Sequence, residues 1–126
     1  MTLPPKNEAP AQALDSELFQ ELRESLGNEL HVVAGIYRRF MDNAASSIET
    51  SRGQSGAERA STLHTLKGSA AMVGATRIAA VAAHLEASLL DSPAERAEAG
   101  LRELEAELVR FRAAVTAHLQ SLGLPN

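Results

Sequence analysis

Cysteine and tryptophan are absent from the 126 residues, and one tyrosine and three phenylalanines are the only large aromatic side chains. Without cysteine the chain can form no disulfide, no thiolate zinc site and no cysteine nucleophile. With so few aromatic rings, a surface that stacks nucleic-acid bases is not expected. The chain also lacks the run of about 18 apolar residues that a membrane-spanning helix needs. Its first residues lack the apolar segment of a secretory signal. These absences together predict a soluble cytoplasmic domain with no nucleic-acid partner and no membrane insertion.

Two catalytic motifs are missing as well. No glycine-rich phosphate-binding loop of the Walker or kinase type occurs, so we expect no autophosphorylation from ATP. No Glu-x-x-His pair occurs, which argues against a di-iron helical bundle. The length suits a single domain. We therefore expect no cofactor of the chain's own and no metal site.

The net charge of -4 is distributed unevenly along the chain. Residues 31–90 contain six basic and four acidic side chains, a net charge of +2. Residues 1–30 and 91–126 carry the excess of acidic side chains. The basic middle segment either favours an acidic partner surface or reflects ordinary scatter over solvated helix faces.

Apolar residues recur every three or four positions along most of the chain, and no strand-like alternation appears. This pattern predicts an all-α fold, an antiparallel four-helix bundle over residues 14–120. A short additional helix near 15–26 is expected to cap one end of the bundle. Residues 1–13 have the composition of a disordered arm or linker, and 121–126 form a C-terminal tail.

Helix ends are marked by typical capping residues. Gly27 and Gly74 are expected to end the first and third helices. Ser55 and Glu58 have the spacing of a capping box, and Ser92 is predicted as the N-cap before Pro93. The positions predicted to face the core are Leu18, Leu22 and Leu26; Val33, Ile36, Phe40, Ala44 and Ile48; the stem of Arg59 with Leu63, Leu66, Ala70 and Val73; Ile78, Val81, Leu85 and Leu89; and Leu101, Leu104, Leu108, Phe111 and Val115.

One of the four histidines has unusual surroundings. His64 directly follows a predicted core leucine, so it lies at the border of the buried stripe. Its neighbours one turn away are small, except for Lys67, whose ammonium group suits a phosphoryl oxygen. Gly68 costs the helix roughly 1 kcal/mol relative to alanine, and we interpret it as clearing space beside the imidazole. The other histidines, interpreted as ordinary helix residues, are His31, His84 and His118.

Helical geometry predicts a partner for His64. His64 precedes Gly74 by ten residues, and Glu86 follows Gly74 by twelve. At about 1.5 Å per residue the two side chains lie nearly level on the two helices of a hairpin. A carboxylate on Nδ1–H would hold the tautomer and leave Nε2 as a nucleophile. Taken alone, Glu86 is better interpreted as a solvated helix charge.

The segment "HTLKGSAAMVGATRIAAVAAHLE", residues 64–86, resembles the histidine-containing phosphotransfer (HPt) domains of multistep phosphorelays. The resemblance implies that His64 accepts a phosphoryl group from a receiver-domain aspartyl phosphate and relays it to another receiver. It implies that Lys67 and Gly68 support His64 and that Glu86 orients it. The expected partners are response-regulator receivers and a hybrid sensor kinase, with Mg²⁺ in the receiver's acidic pocket. One departure is His84, which could compete for the Glu86 carboxylate.

Two other functions are compatible with the sequence. The phosphoacceptor domain of a histidine kinase also carries its histidine in a helical hairpin, but it forms dimers and usually has an acidic residue where Thr65 stands. We expect a monomer here. A helical interaction module with an inert His64 is the second alternative. Whether the chain stands alone or ends a hybrid kinase, and in which direction phosphoryl groups flow, is left open by the sequence.

Overall fold

The computed structural model describes residues 12–89 and 92–124, and within these ranges it contains helices and no strand. This confirms the predicted all-α class and helical bundle. The first eleven residues of the predicted arm and the last two of the predicted tail lie outside the described residues. The helices are α1 (Ser16–Ser25), α2 (Leu30–Arg52), α3 (Gly56–Met72), α4 (Thr76–Ser88) and α5 (Ala94–Ser121).

The four long helices pack in a closed ring, in which α2 contacts α3, α3 contacts α4, α4 contacts α5 and α5 contacts α2. Their short connections make neighbouring helices antiparallel. The short helix α1 lies across the end at which α3 turns into α4. There the Asp15 N–H donates to the Gly74 carbonyl at 2.8 Å, and the Thr76 hydroxyl donates to the Gln12 carbonyl at 2.9 Å. This end is closed, and the site described below lies along the side of the bundle.

Gly74 ends α3 as predicted, with a φ of 78° that favours glycine. The Ala75 N–H donates back to the Ala70 carbonyl at 2.8 Å, which completes a Schellman motif. A Cβ added at Gly74 would also lie 3.1 Å from the Asp15 Cβ and from Leu18 Cδ2. The turn between α3 and α4 is therefore shaped both by its backbone conformation and by the helix that covers it.

Two capping predictions need correction. Ser55 is the N-cap of α3, but its side chain makes no capping hydrogen bond. The N-cap of α5 is Pro93 and not Ser92. The Ser92 hydroxyl donates instead to the Ser88 carbonyl at 2.8 Å, so it satisfies the end of α4. The last carbonyls of a helix have no hydrogen-bond partner within it, so a serine between two helices can cap the end of the first or the start of the second.

The predicted core is largely correct on α3 and α5, where every predicted position except Val73 is buried. On α2 and α4 all predicted positions but one on each helix are buried: Ile36 and Val81 are half-buried, and the neighbouring Tyr37 and Ala82 are buried in their place. On α1 the fully buried residue is Phe19, and the three predicted leucines are half-buried.

Aromatic packing explains why Tyr37 is buried on α2 and Ile36 is not. The Tyr37 ring stacks on Phe19 at 5.5 Å and lies 5.9 Å from Phe111. Its hydroxyl has no hydrogen-bond partner among the described residues. Burial, together with the charge of Asp15, raises the pKa of Tyr37 to about 12. The large ring fills the space between three helices, which Ile36 on the next face does not reach.

Charged side chains join the helices at two seams. Arg52 of α2 binds Glu98 and Glu105 of α5. Arg77 of α4 binds Glu107 of α5 at 2.9 Å, and the Glu107 side chain is only 3% exposed. Elsewhere along the same two helices, α4 and α5 approach closely at Gly100, where an added Cβ would lie 2.6 Å from Leu85 Cδ2.

Candidate functional site

His64 lies near the middle of α3 on the outer face of the bundle. Leu63 and Leu66 are buried on either side of it in sequence, so packing determines the rotation of α3 and turns His64 outward. The imidazole side chain is 64% exposed. The structure therefore leaves the ring open to a partner molecule, as the border position predicts.

Glu86 of α4 lies level with His64 and contacts it. Glu86 Oε2 is 3.0 Å from His64 Nδ1. Its other oxygen, Oε1, is 3.3 Å from the ammonium nitrogen of Lys67. One carboxylate thus joins two residues of α3 across the seam, and each of its oxygens has a different partner.

The charge state of Glu86 determines the tautomer of His64. Partial burial raises the pKa of the Glu86 carboxyl, but the hydrogen bonds from Lys67 and His64 outweigh this effect, and the pKa lies below its ordinary value. An ionised carboxylate only accepts hydrogen bonds, so the proton of the neutral imidazole is on Nδ1. The lone pair is then on Nε2, which makes no hydrogen bond within the described residues. This arrangement presents a nucleophilic nitrogen on an exposed ring.

A family model described as "Hpt domain" matches residues 7–119. The chain belongs to the HPt family. The match covers most of the chain and identifies a histidine phosphotransfer module. HPt domains interact with receiver domains in phosphorelays. Comparisons with curated proteins and with solved structures give no match.

The predicted HPt residues His64, Lys67 and Glu86 are brought together by the structure, and Gly68 lies on the next turn beside His64. A Cβ added at Gly68 would meet nothing within 4 Å, and the backbone there is not in the left-handed region. Neither packing nor conformation inside this HPt domain therefore requires glycine. The functional roles of these four residues stay predictions.

An open groove between α2 and α3 adjoins the HPt histidine on the side away from Glu86. Its volume is about 800 Å³, and its walls include Thr65 and Ser69 of α3 and Arg39 of α2. Met72 and Val32 on the groove are 81% and 48% exposed. Sequence reasoning missed this groove, although these two apolar residues outside the predicted core stripes were an available signal.

Gly35 also lies at this groove, and sequence reasoning did not single it out. It lies within α2 in the wall of the groove, and an added Cβ there would also meet nothing within 4 Å. The two mid-helix glycines without internal contacts, Gly35 and Gly68, therefore lie on α2 and α3, the two helices that form the groove. The Cβ of an alanine would have fitted inside the fold at either position.

Within the described residues, the three other histidines make no hydrogen bond or ion pair with His64, Lys67 or Glu86. His31 and His84 are exposed, and His84 makes no hydrogen bond or ion pair with Glu86. His118 Nδ1 donates to the Ala114 carbonyl at 3.0 Å, and its ring packs 5.1 Å from Phe19. Among the described residues, no three His, Asp or Glu side chains form a group that could hold a metal ion. In the same ranges, no helix combines the length and apolar character needed to cross a membrane.

Proposed function

We propose that His64 accepts a phosphoryl group on Nε2 from the aspartyl phosphate of one receiver domain and passes it to the aspartate of another. The observation that carries this proposal is the hydrogen bond from His64 Nδ1 to Glu86 on an exposed ring. This bond assigns the proton to Nδ1 and leaves the lone pair of Nε2 available for attack.

The transfer needs no proton to move. The Nε2 lone pair forms the N–P bond while the O–P bond of the aspartyl phosphate breaks and the receiver's carboxylate leaves with that electron pair. The Nδ1–H stays in place, so the product is a phosphoimidazolium whose positive charge faces Glu86. The reverse step regenerates the neutral ring. Phosphoryl transfer of this kind depends mainly on position and electrostatics, which a rigid bundle supplies.

The remaining residues support this step in our proposal. Lys67 offers an ammonium group to the phosphoryl oxygens, and Gly68 keeps the approach to His64 free. Mg²⁺, where the transfer needs it, is expected in the acidic pocket of the receiver. We expect the groove beside His64 to lie under the same receiver, because a domain that reaches Nε2 must also cover the neighbouring surface. The expected setting is cytoplasmic, with a monomeric HPt domain and a hybrid sensor kinase upstream.

The test is transfer from radiolabelled phosphoreceivers to the wild type and to His64→Gln. Because His64 is exposed, the variant should fold normally and take up no phosphate. Label that persists on the variant, or that maps to His31, His84 or His118, would contradict the proposal. A parallel incubation with ATP alone should leave the wild type unlabelled. Stoichiometric labelling by ATP would instead favour the kinase phosphoacceptor function.

A further inference from the structure

The contact between Lys67 and Glu86 is loose for a charge-assisted hydrogen bond. The Nζ–Oε1 distance is 3.3 Å, whereas strong pairs of this type measure about 2.7–2.9 Å. The Lys67 side chain is 37% exposed. Lysine carries its charge on a flexible stem with several rotatable bonds. The ammonium group can therefore leave Glu86 without disturbing the helix that carries it.

A phosphoryl group on His64 would compete for the same ammonium group. It carries about -1.5 to -2 charge at neutral pH and three strong acceptor oxygens. Lys67 follows His64 by three residues, which makes the two side chains neighbours on the helix surface. Glu86 offers Lys67 a single negative charge, and that carboxylate also accepts from His64.

We propose that Lys67 changes partner with the phosphorylation state of His64: it binds Glu86 in the free protein and the phosphoryl group in the phosphorylated protein. This inference rests on the proposed function and adds a second state to its site. The hydrogen bond from Nδ1 to Glu86 is kept in both states. The step that triggers the exchange is the transfer written above, which forms the N–P bond and moves no proton.

The exchange gives His64 different electrostatic surroundings in the two states. In the free protein, Lys67 contacts Glu86 and offsets its charge. In the phosphorylated protein, Lys67 has moved to the phosphoryl oxygens, and the full charge of Glu86 faces the phosphoimidazolium. Lys67 thereby offsets the charge of Glu86 before the transfer and part of the phosphoryl charge after it.

The composition of the chain allows a direct test. Lys6 and Lys67 are its only lysines, so protein labelled with ¹⁵N-lysine has two Nζ signals, and Lys6 serves as the internal reference. The protein is phosphorylated with phosphoramidate, a small donor that needs no receiver, and phosphohistidine is followed by ³¹P NMR. The Lys67 Nζ signal should shift on phosphorylation, and the Lys6 signal should not.

Two variants serve as matched controls. In Glu86→Gln, the unphosphorylated Lys67 signal should move towards that of Lys6, and the phosphorylated signal should match the phosphorylated wild type. In His64→Gln, the same treatment should shift neither signal. A ³¹P phosphohistidine signal with an unmoved Lys67 signal in the wild type would overturn the exchange alone. Absence of any phosphohistidine signal would overturn the proposed function, and the exchange with it.

Discussion

Helix α4 is joined to its two neighbours by the same kinds of residue, with different results. On the α5 side, Glu107 binds Arg77 at 2.9 Å and is 3% exposed. On the α3 side, Glu86 binds Lys67 at 3.3 Å and His64 at 3.0 Å, and it is 27% exposed. The Glu107 carboxylate is enclosed, whereas the Glu86 carboxylate is only partly buried. Both have two basic partners, because Glu107 also binds Arg110 at 3.3 Å.

Each helix beside α4 also contains a glycine within its length: Gly100 in α5 and Gly68 in α3. An added Cβ at Gly100 on the α5 side would lie 2.6 Å from a buried leucine, but an added Cβ at Gly68 on the α3 side would meet nothing. Packing accounts for Gly100, whereas no contact within the described residues accounts for Gly68. The comparison teaches that residue type alone does not show whether a residue serves stability or function. The burial of a charged side chain, and the space around a glycine, are better guides.

The largest expected effect on the α5 side comes from Glu107→Ala. Breaking a buried ion pair typically costs about 3–5 kcal/mol, and because Arg77 is partly exposed we expect about 3 kcal/mol in the free energy of unfolding. Chemical denaturation measures this loss. The control is Glu105→Ala, which removes an exposed pair with Arg52 and should cost less than about 1 kcal/mol. Equal losses in the two variants would mean that burial adds nothing to the strength of the Glu107 ion pair.

The same variant has an expected pH signature. The hydrogen bond from Arg77 lowers the pKa of Glu107 from 4.5 in spite of burial. A lowered pKa in the folded state means that this contribution is present above about pH 4.5 and is lost as the pH falls through the folded-state value. As the pH falls below about 4.5, wild type should therefore lose more stability than Glu107→Ala.

On the α3 side, Gly68→Gln should slow phosphoryl transfer by about 100-fold. A long side chain beside His64 would hold the receiver away, and an error of about 1 Å in the reacting distance costs a factor of this size. The melting temperature should be no lower than that of wild type, because glutamine favours helix more than glycine does and its Cβ would meet nothing within 4 Å. Single-turnover transfer and a thermal melt on one sample give both values. Transfer at the wild-type rate would show that Gly68 has no docking role.

Gly100→Ala is the opposite case and a smaller one. Overpacking typically costs about 1–3 kcal/mol, and a gain of about 1 kcal/mol in helix propensity offsets part of it. We expect a net loss of about 1 kcal/mol, measured by denaturation, with unchanged transfer by the folded protein. Gly68→Ala is the matched control and should gain about 0.4–1 kcal/mol. A stabilised Gly100→Ala would mean that Leu85 and Leu89 move aside without cost.

The smallest expected effects are those of Lys67→Ala and Glu86→Gln on the transfer rate. Both residues support a nucleophile that exists without them, so we expect reductions of less than about tenfold. Lys67→Ala should slow the transfer more than Glu86→Gln does, because glutamine at position 86 still accepts the hydrogen bond from His64 Nδ1. Stopped-flow or quenched transfer from a phosphoreceiver measures the difference. Wild-type kinetics in Lys67→Ala would refute the lysine's role.

Much of the site could be predicted because helical geometry is regular. The rise per residue predicts that His64 and Glu86 lie level once Gly74 ends α3, and the two side chains are in contact. The bond between Lys67 and Glu86 was not predicted, since it depends on how α3 and α4 are rotated against each other. The groove was missed for a similar reason: it is formed by the gap between two helices and not by either helix alone.

By itself, the sequence determined the properties that depend on neighbours along the chain: the all-helical class, the glycine ends of α1 and α3, and the identity of His64 as the unusual histidine. Only the tertiary structure decided that Tyr37 and not Ile36 enters the core, that Glu107 is buried while Glu86 stays open, and that Gly100 is packed while Gly68 is free. The physical reason is that periodicity locates an apolar stripe to within about one residue, or 100° of helix rotation. Burial and side-chain pairing depend on a finer rotation, which is set by the fit of whole helix surfaces against one another.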